Sequence, residues 1–113
     1  MKGNVVSMRF EDDLGRYLDQ ARQQPLLSPE RELELAQRWR DSRDPEAARE
    51  LVASHLRLVV KIARGFSGYG FPVGELVAEG NVGLVQALTK FDPDRGFRFA
   101  TYAMWWIRAA IQE

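Results

Sequence analysis

Residues 74–113 read GELVAEGNVGLVQALTKFDPDRGFRFATYAMWWIRAAIQE and contain two helix-length periodic segments separated by the turn signal DPDRG. In the first segment, from about Gly74 to Phe91, one stripe at helical spacing carries Gly80 and Gly83. A glycine inside a helix costs about 1 kcal/mol relative to alanine, so two on one face predict close approach of another helix. In the second segment, which starts near Ala100, one arc is entirely aliphatic. That arc consists of Ala103, Met104, Ile107, Ala110 and Ile111.

The opposite arc of the last predicted helix carries Tyr102, Trp105 and Trp106. Either a second helix covers these rings, which makes them core, or they form an exposed aromatic surface. Stacking of a base on an aromatic ring contributes about 1–3 kcal/mol, and arginine adds phosphate and cation–π contacts. An exposed surface would therefore suit single-stranded nucleic acid. The arginines near it are Arg95, Arg98 and Arg108.

The first periodic segment also has a second face. It combines small apolar groups with two carboxylates, which is more than a solvated helix surface needs. Both an ordinary exterior and a protein-docking surface fit this pattern. The residues on that face are Glu75, Ala78, Glu79, Val82, Val85 and Gln86.

The remaining chain also has helical periodicity and no alternating strand pattern. Residues 1–10 are predicted to be a flexible tail, followed by a helix from Glu11. Ser28 with Pro29, and Asp44 with Pro45, are typical helix starts, and the helix after Pro45 is predicted to run to about Phe66. The predicted fold is all-α, a compact bundle of about five helices. The chain has no helix stop signal after Ile111, which indicates a domain cut from a longer protein.

Composition excludes several classes of function. The 113 residues have a formal net charge of zero, no cysteine and one histidine, His55. Without a second histidine or a cysteine, we expect no metal site, no cofactor and no enzyme active site. His55 lies among apolar residues at helical spacing, which favours a buried structural histidine over a catalytic one. No segment has the length of a membrane span, and the absence of cysteine is compatible with a cytoplasmic protein.

Three stretches of this sequence resemble bacterial RNA polymerase sigma factors of the sigma-70 family. ELVAEGNVGLVQALTKFDPDRGFRFATYAMWWIRAAI is similar to the most characteristic segment of that family, and SHLRLVVKIARGF and YLDQARQQPLLSPERELELAQRWR are similar to the helices before it. The resemblance runs from region 1.2, over residues 11–43, through most of region 2.4, within residues 44–113. It implies one globular unit. MWWIRAAIQE resembles the heat-shock type.

The resemblance implies that the helix from Gly74 to Phe91 docks on the β′ clamp helices of the RNA polymerase core. Most of the matching contact positions belong to the outward face described above. Ala78 stands where the family usually has glutamine, so no side-chain hydrogen bond is expected there. The matching positions are Glu75, Ala78, Glu79, Asn81 and Val85.

The resemblance also implies that the last segment melts promoter DNA and captures the non-template strand of the −10 element. Tyr102 matches the ring that stacks on a flipped adenine, and Trp105 and Trp106 match the pair at the upstream fork. Phe91, Asp92 and Arg95 match the walls of the base pocket, and Phe97 and Phe99 match aromatic residues nearby. Arg98, Thr101, Arg108 and Gln112 complete the predicted DNA-binding set on this segment.

Two further matches affect what the chain reads and where. His55 and Leu58 match residues that line a second base pocket, which implies a partly exposed histidine. Ala109 and Gln112 stand where housekeeping members have glutamine and threonine, so a different −10 sequence is expected. An anti-sigma factor or a chaperone is a further expected partner. The alternative is a helical protein-interaction module, of anti-sigma or adaptor type, whose aromatic face binds protein.

Overall fold

The computed structural model describes residues 15, 16, 19 and 21–113, and in this part of the chain all regular structure is helical. The all-α prediction is therefore confirmed. The predicted tail over residues 1–10 lies outside the described residues, as does most of the first predicted helix, of which residues 15, 16, 19 and 21–23 are helical. The helices are α1 (Pro29–Ser42), α2 (Pro45–Ser54), α3 (Leu56–Gly65), α4 (Val73–Lys90) and α5 (Phe99–Gln112), with 3₁₀ turns at Ser67–Tyr69 and Pro93–Arg95.

The starts of α1 and α2 follow the capping signals in the sequence. The Ser28 side chain accepts a hydrogen bond from the backbone N–H of Arg31 at 3.1 Å, and Asp44 accepts one from Glu46 at 3.0 Å. In both helices proline occupies the first turn, where its missing N–H has no partner to lose. α1 ends at Arg43, which adopts the left-handed conformation with φ 53°.

The prediction of one helix from Pro45 to about Phe66 is wrong, because the helix breaks at His55 (φ −112°, ψ 8°). Two side chains bind the carbonyl of Leu51 at the break: Ser54 Oγ donates to it at 3.0 Å and His55 Nδ1 at 2.7 Å. The backbone N–H of His55 donates instead to Val52, at 3.0 Å. Side chains that take a helix carbonyl compete with the backbone ladder, and α3 therefore starts as a separate helix.

α4 and α5 pack closely against each other, and glycine makes this possible. A Cβ atom at Gly83 would lie 2.8 Å from the carbonyl carbon of Trp106 and 2.9 Å from Cα of Ile107. At Gly80 it would lie 2.8 Å from Val59 Cγ1 and 3.3 Å from Ile107 Cγ2. The predicted close approach is confirmed, and α4 has the predicted bounds to within one residue.

The core lies between α4, α5 and the three helices before them. Its largest fully buried side chains come from all five helices and are Phe99, Leu35, Leu51, Leu84, Ile107 and Val59. α1 is attached to the end of α4 by the Trp39 Nε1–H, which donates to the Leu88 carbonyl at 3.1 Å. Among the described residues, no helix is long and apolar enough to cross a membrane.

Candidate nucleic-acid interface

α5 has the two faces that its periodicity predicts. Ala103 and Ile107 are fully buried, whereas Trp105 is 71% exposed. The alternative in which another helix covers Trp105 is therefore wrong for the described part of the chain. The predicted DNA-contact residues on the exposed side with Trp105 are Thr101, Arg108 and Gln112, and Ala109 is exposed there too.

Tyr102 and Trp106 are half-buried, so they are neither fully core residues nor a fully exposed surface. Their ring centroids are 6.4 Å apart, and the Tyr102 ring lies 5.6 Å from that of Phe91. The Tyr102 hydroxyl donates to the Lys90 carbonyl at 3.4 Å, and the Lys90 ammonium lies 5.7 Å from the Trp106 ring centroid. These rings form a continuous aromatic edge from the end of α4 to the middle of α5.

The turn between α4 and α5 places the remaining predicted pocket residues beside this edge. The Asp92 side chain accepts a hydrogen bond from the backbone N–H of Asp94 at 3.0 Å, and Gly96 completes the turn with φ 82°, a conformation that favours glycine. Asp92, Arg95 and Phe97 are all exposed. With Asp94, which is exposed too, the turn therefore presents three charged side chains and one ring to solvent.

The residue that organises the other side of the site is Glu32, which sequence reasoning did not identify. It is 4% exposed, yet its carboxylate accepts hydrogen bonds from Arg98 Nε and from the backbone N–H of Phe99, each at 3.0 Å. A second bond comes from Arg98 Nη2 at 3.2 Å, and His55 Nε2 lies 3.7 Å away. We call Glu32, His55, Arg98 and the Phe99 N–H the Glu32 cluster.

The Glu32 cluster also supplies the cap that α5 lacks. No side chain at the N-cap position, Arg98, binds the first turn of α5. The Phe99 N–H is one of the donors that a helix start leaves without a partner, and Glu32 satisfies it from α1. A carboxylate at this end also interacts favourably with the helix dipole. Only a signal that links α1 to α5 could have revealed this role, and helical periodicity carries none.

Burial alone raises the pKa of Glu32, since it penalises the charged form. The interactions with His55 and Arg98, the Phe99 N–H and the charge of Arg98 together outweigh burial and lower the pKa from 4.5 to about 2. The pairing in turn raises the pKa of Arg98. Glu32 is therefore charged at neutral pH, and it holds the start of α5.

Two predictions about this cluster need correction. Phe99, predicted to contact DNA, is fully buried, with its ring centroid 4.9 Å from His55 and 5.2 Å from Phe91. His55, implied to be partly exposed, is only 7% exposed because Phe99 and the Leu51 carbonyl occupy its surroundings. The buried histidine that its apolar neighbours predict is confirmed. Arg98 is half-exposed, and its Nε and Nη2 are paired with Glu32.

A cavity of about 360 Å³ nevertheless opens beside the cluster. His55 and Leu58, the two residues matched to a second base pocket, both line it. Its other walls come from the segment before α1, from α1, from the end of α2 and the start of α3, and from the start of α5. They are Leu26, Leu27, Glu32, Ser54, Arg57, Arg98 and Ala100.

The second face of α4 is exposed as its pattern predicts. Glu75, Ala78 and Glu79 are exposed, and Val82 and Val85 follow on the next turns. This face therefore combines two half-exposed valines, one turn apart, with two carboxylates. Asn81, the fifth residue matched to polymerase contact, is half-buried.

These surfaces define a class of protein: an all-α domain whose last helix, α5, exposes an aromatic and basic site, and whose preceding helix, α4, exposes a face with carboxylates and valines. Comparison with known proteins gives the family. Residues 51–113 match Sigma-70 region 2, and residues 12–44 match Sigma-70 factor, region 1.2. The chain belongs to the sigma-70 family of RNA polymerase sigma factors.

Individual relatives agree with this assignment. The chain is 62% identical to RNA polymerase sigma factor RpoH of Caulobacter vibrioides (strain NA1000 / CB15N), over 100% of this chain and 39% of the relative. It is 61% identical to RNA polymerase sigma factor RpoH of Rhizobium radiobacter, over 91% and 34%. It is 46% identical to RNA polymerase sigma-C factor of Myxococcus xanthus, over 94% and 36%. The chain thus spans about two-fifths of the length of these relatives or less, and the expected likeness to heat-shock sigma factors is confirmed by the RpoH relatives.

Proposed function

We propose that this chain binds the RNA polymerase core and captures the non-template strand of the −10 element as single-stranded DNA, in the initiation of transcription at heat-shock promoters. The observation that carries the proposal is the exposure of Trp105 on a helix whose aliphatic face is already buried. An aromatic ring in water forgoes the free energy that burying its apolar surface would give. Membership of the sigma-70 family suggests that a DNA base stacks on this ring and covers it.

The aromatic edge supplies the energy for strand separation. Flipping a base out of a duplex costs a few kcal/mol, and each base stacked on an aromatic ring returns about 1–3 kcal/mol. Tyr102, with the turn residues Asp92 and Arg95 beside it, would hold the flipped base, and Trp105 and Trp106 would stack at the upstream fork. Two or three such contacts offset the cost without ATP, so we propose that the chain acts without being an enzyme.

The cavity beside the Glu32 cluster is the proposed second base site. Its volume of about 360 Å³ is within the range of sites that hold small ligands. Leu58 offers an apolar wall and Ser54 a hydroxyl, while His55 lines the cavity but is only 7% exposed. Of the residues expected to read the upstream end of the element, Gln112 retains a polar side chain at an exposed position and Ala109 does not.

The exposed face of α4 is the proposed contact with the β′ clamp helices. Val82 and Val85 would be buried there, while Glu75 and Glu79 would pair with basic groups of the partner. The aromatic edge lies on α5 and the turn before it, whereas Gln112 lines one cavity with Glu75, Ala78 and Glu79, so the two proposed contact surfaces meet at the end of α5. We also propose that residues 11–43, which resemble region 1.2, and residues 44–113, which resemble region 2, act as one unit. The proposed place of action is the cytoplasm. Binding of an anti-sigma factor or a chaperone stays a prediction.

The test separates the two surfaces. The chain bound to RNA polymerase core is used to enrich single-stranded oligonucleotides from a randomised pool, and the affinity of the enriched oligonucleotide is measured by fluorescence anisotropy. Trp105→Ala should weaken DNA binding by roughly tenfold, the loss of one stacking contact, and leave core binding unchanged. Val85→Glu should weaken core binding instead.

Circular dichroism checks that both variants fold, which the exposure of both side chains predicts. The proposal fails if the wild-type complex enriches no oligonucleotide, or if Trp105→Ala weakens core and DNA binding equally.

A further inference from the structure

The segment from Leu88 to Phe99, which includes the predicted walls of the first base pocket, is attached to α1 at three points. Trp39 binds the Leu88 carbonyl, at the start of this segment, and Glu32 binds Arg98 and the Phe99 N–H, at its end. Between them, Arg40 Nη1 donates to Asp94 Oδ2 at 2.6 Å. Of the α1 residues, Glu32 lines the cavity of the proposed second base site. Trp39 and Arg40 are not among the predicted DNA contacts and would affect DNA binding through this segment.

Arg40 is the α1 residue that reaches the 3₁₀ turn of Pro93–Arg95 directly. Its Nη1 is also 3.9 Å from Asp92 Oδ1, and its Nε donates to Asp41 Oδ1 at 2.8 Å. Asp92 in turn accepts the Asp94 N–H and lies 3.7 Å from Arg95 Nε. One guanidinium therefore connects α1 to the two carboxylates of the turn, and through Asp92 to Arg95.

We propose that Arg40 is a positioning residue for the single-strand site: by holding Asp94 it fixes the turn that carries Asp92 and Arg95, the predicted pocket walls. The inference rests on the proposed function, because the pocket matters only if the chain binds single-stranded DNA. Arg40 does not touch the base. It keeps the turn in the conformation that the base requires. The conformational entropy of the turn is then lost on folding and does not weaken DNA binding.

Charge offers a competing explanation that the chain itself can test. If Arg40 acts only through its positive field, Arg40→Gln weakens DNA binding, while Asp94→Asn, which removes a negative charge, strengthens it. If Arg40 holds the turn, both substitutions break the same ion pair and both weaken binding. The two accounts thus predict opposite signs for Asp94→Asn.

Asp41→Asn is the matched control, because Asp41 pairs with the same guanidinium but belongs to α1 and does not connect to the turn. The charge-swapped double variant Arg40→Glu with Asp94→Arg tests whether the contact itself is needed. All variants are measured as complexes with RNA polymerase core, by anisotropy of the oligonucleotide that the wild-type complex enriches. Core binding is measured in parallel.

The expected result is about a threefold to fivefold weaker DNA affinity for both Arg40→Gln and Asp94→Asn, the effect of one exposed ion pair. Asp41→Asn should bind as well as wild type or better, the swap should recover most of the affinity, and core binding should not change. Tighter binding by Asp94→Asn, no change in either single variant, or no recovery in the swap would overturn the inference while the proposed function stands. A wild-type complex that enriches no oligonucleotide would instead overturn the proposed function, and this inference with it.

Discussion

Replacing Glu32 by glutamine should lower the stability of the fold in a way that depends on pH. The carboxylate is nearly fully buried and accepts three hydrogen bonds, from Arg98 Nε, Arg98 Nη2 and the Phe99 N–H. Its pKa is about 2 in the folded protein against a reference of 4.5. At about 1.36 kcal/mol per pKa unit, the charged form contributes about 3 kcal/mol to the free energy of unfolding at neutral pH.

The sign follows from the lowered pKa. Stability from this carboxylate is fully present above the unfolded pKa of 4.5 and is lost as the pH falls towards the folded pKa of about 2. Glutamine resembles the protonated carboxyl group and cannot charge. Glu32→Gln should therefore cost about 3 kcal/mol near neutral pH, and the difference from wild type should shrink steadily below about pH 4.5.

Urea unfolding followed by far-ultraviolet circular dichroism, at several pH values between about 7 and about 3, measures this difference. Glu34→Gln is the control on the same helix, because Glu34 is exposed and its ion pair with Arg31 at 3.1 Å is a surface contact. It should change stability little at any pH. A loss for Glu32→Gln that is the same at neutral and acid pH, or no loss at all, would refute the electrostatic account of the Glu32 cluster.

Two further substitutions test the backbone of the fold by the same unfolding measurement. Gly83→Ala should lower the free energy of unfolding by about 1–3 kcal/mol, because the added Cβ would meet the backbone of Trp106 and Ile107. Gly65→Ala, with open space around it, should not lower it. Equal effects of the two substitutions would contradict the close approach of α4 and α5. Arg43→Gly should leave the stability unchanged or raise it by up to about 1 kcal/mol, because a φ of 53° strains a residue with a Cβ. A clear loss of stability would show that the contact of Arg43 with the Trp39 ring, at 4.8 Å, outweighs the strain.

Much of this fold follows from local signals in the sequence. The starts of α1 and α2 could be predicted because a capping side chain and its N–H partner are two or three residues apart. The faces of α4 and α5 could be predicted because helical geometry alone decides which residues share a side. This is why Trp105 was expected, and is found, on the side away from the core.

The break at His55 could not be predicted in this way. Apolar periodicity continues across it, and two side-chain hydrogen bonds to one carbonyl decide the outcome. The burial of Phe99 escaped prediction for a related reason. The residue before it, Arg98, is exposed, and its own ring is buried by His55 and Phe91, which come from other elements.

The sequence by itself determined that this chain is helical, that it belongs to a family of sigma factors, and that Trp105 lies opposite the aliphatic face of α5. The tertiary structure decided that this ring is exposed and not covered by another of the described helices. Only the tertiary structure decided how α5 begins. The Phe99 N–H finds its acceptor on Glu32, 67 residues earlier, and Asp94 finds Arg40, 54 residues earlier. Such pairs leave no periodic trace, because a carboxylate on α1 looks the same in sequence whether it faces water or the start of another helix. The packing of the helices makes that choice.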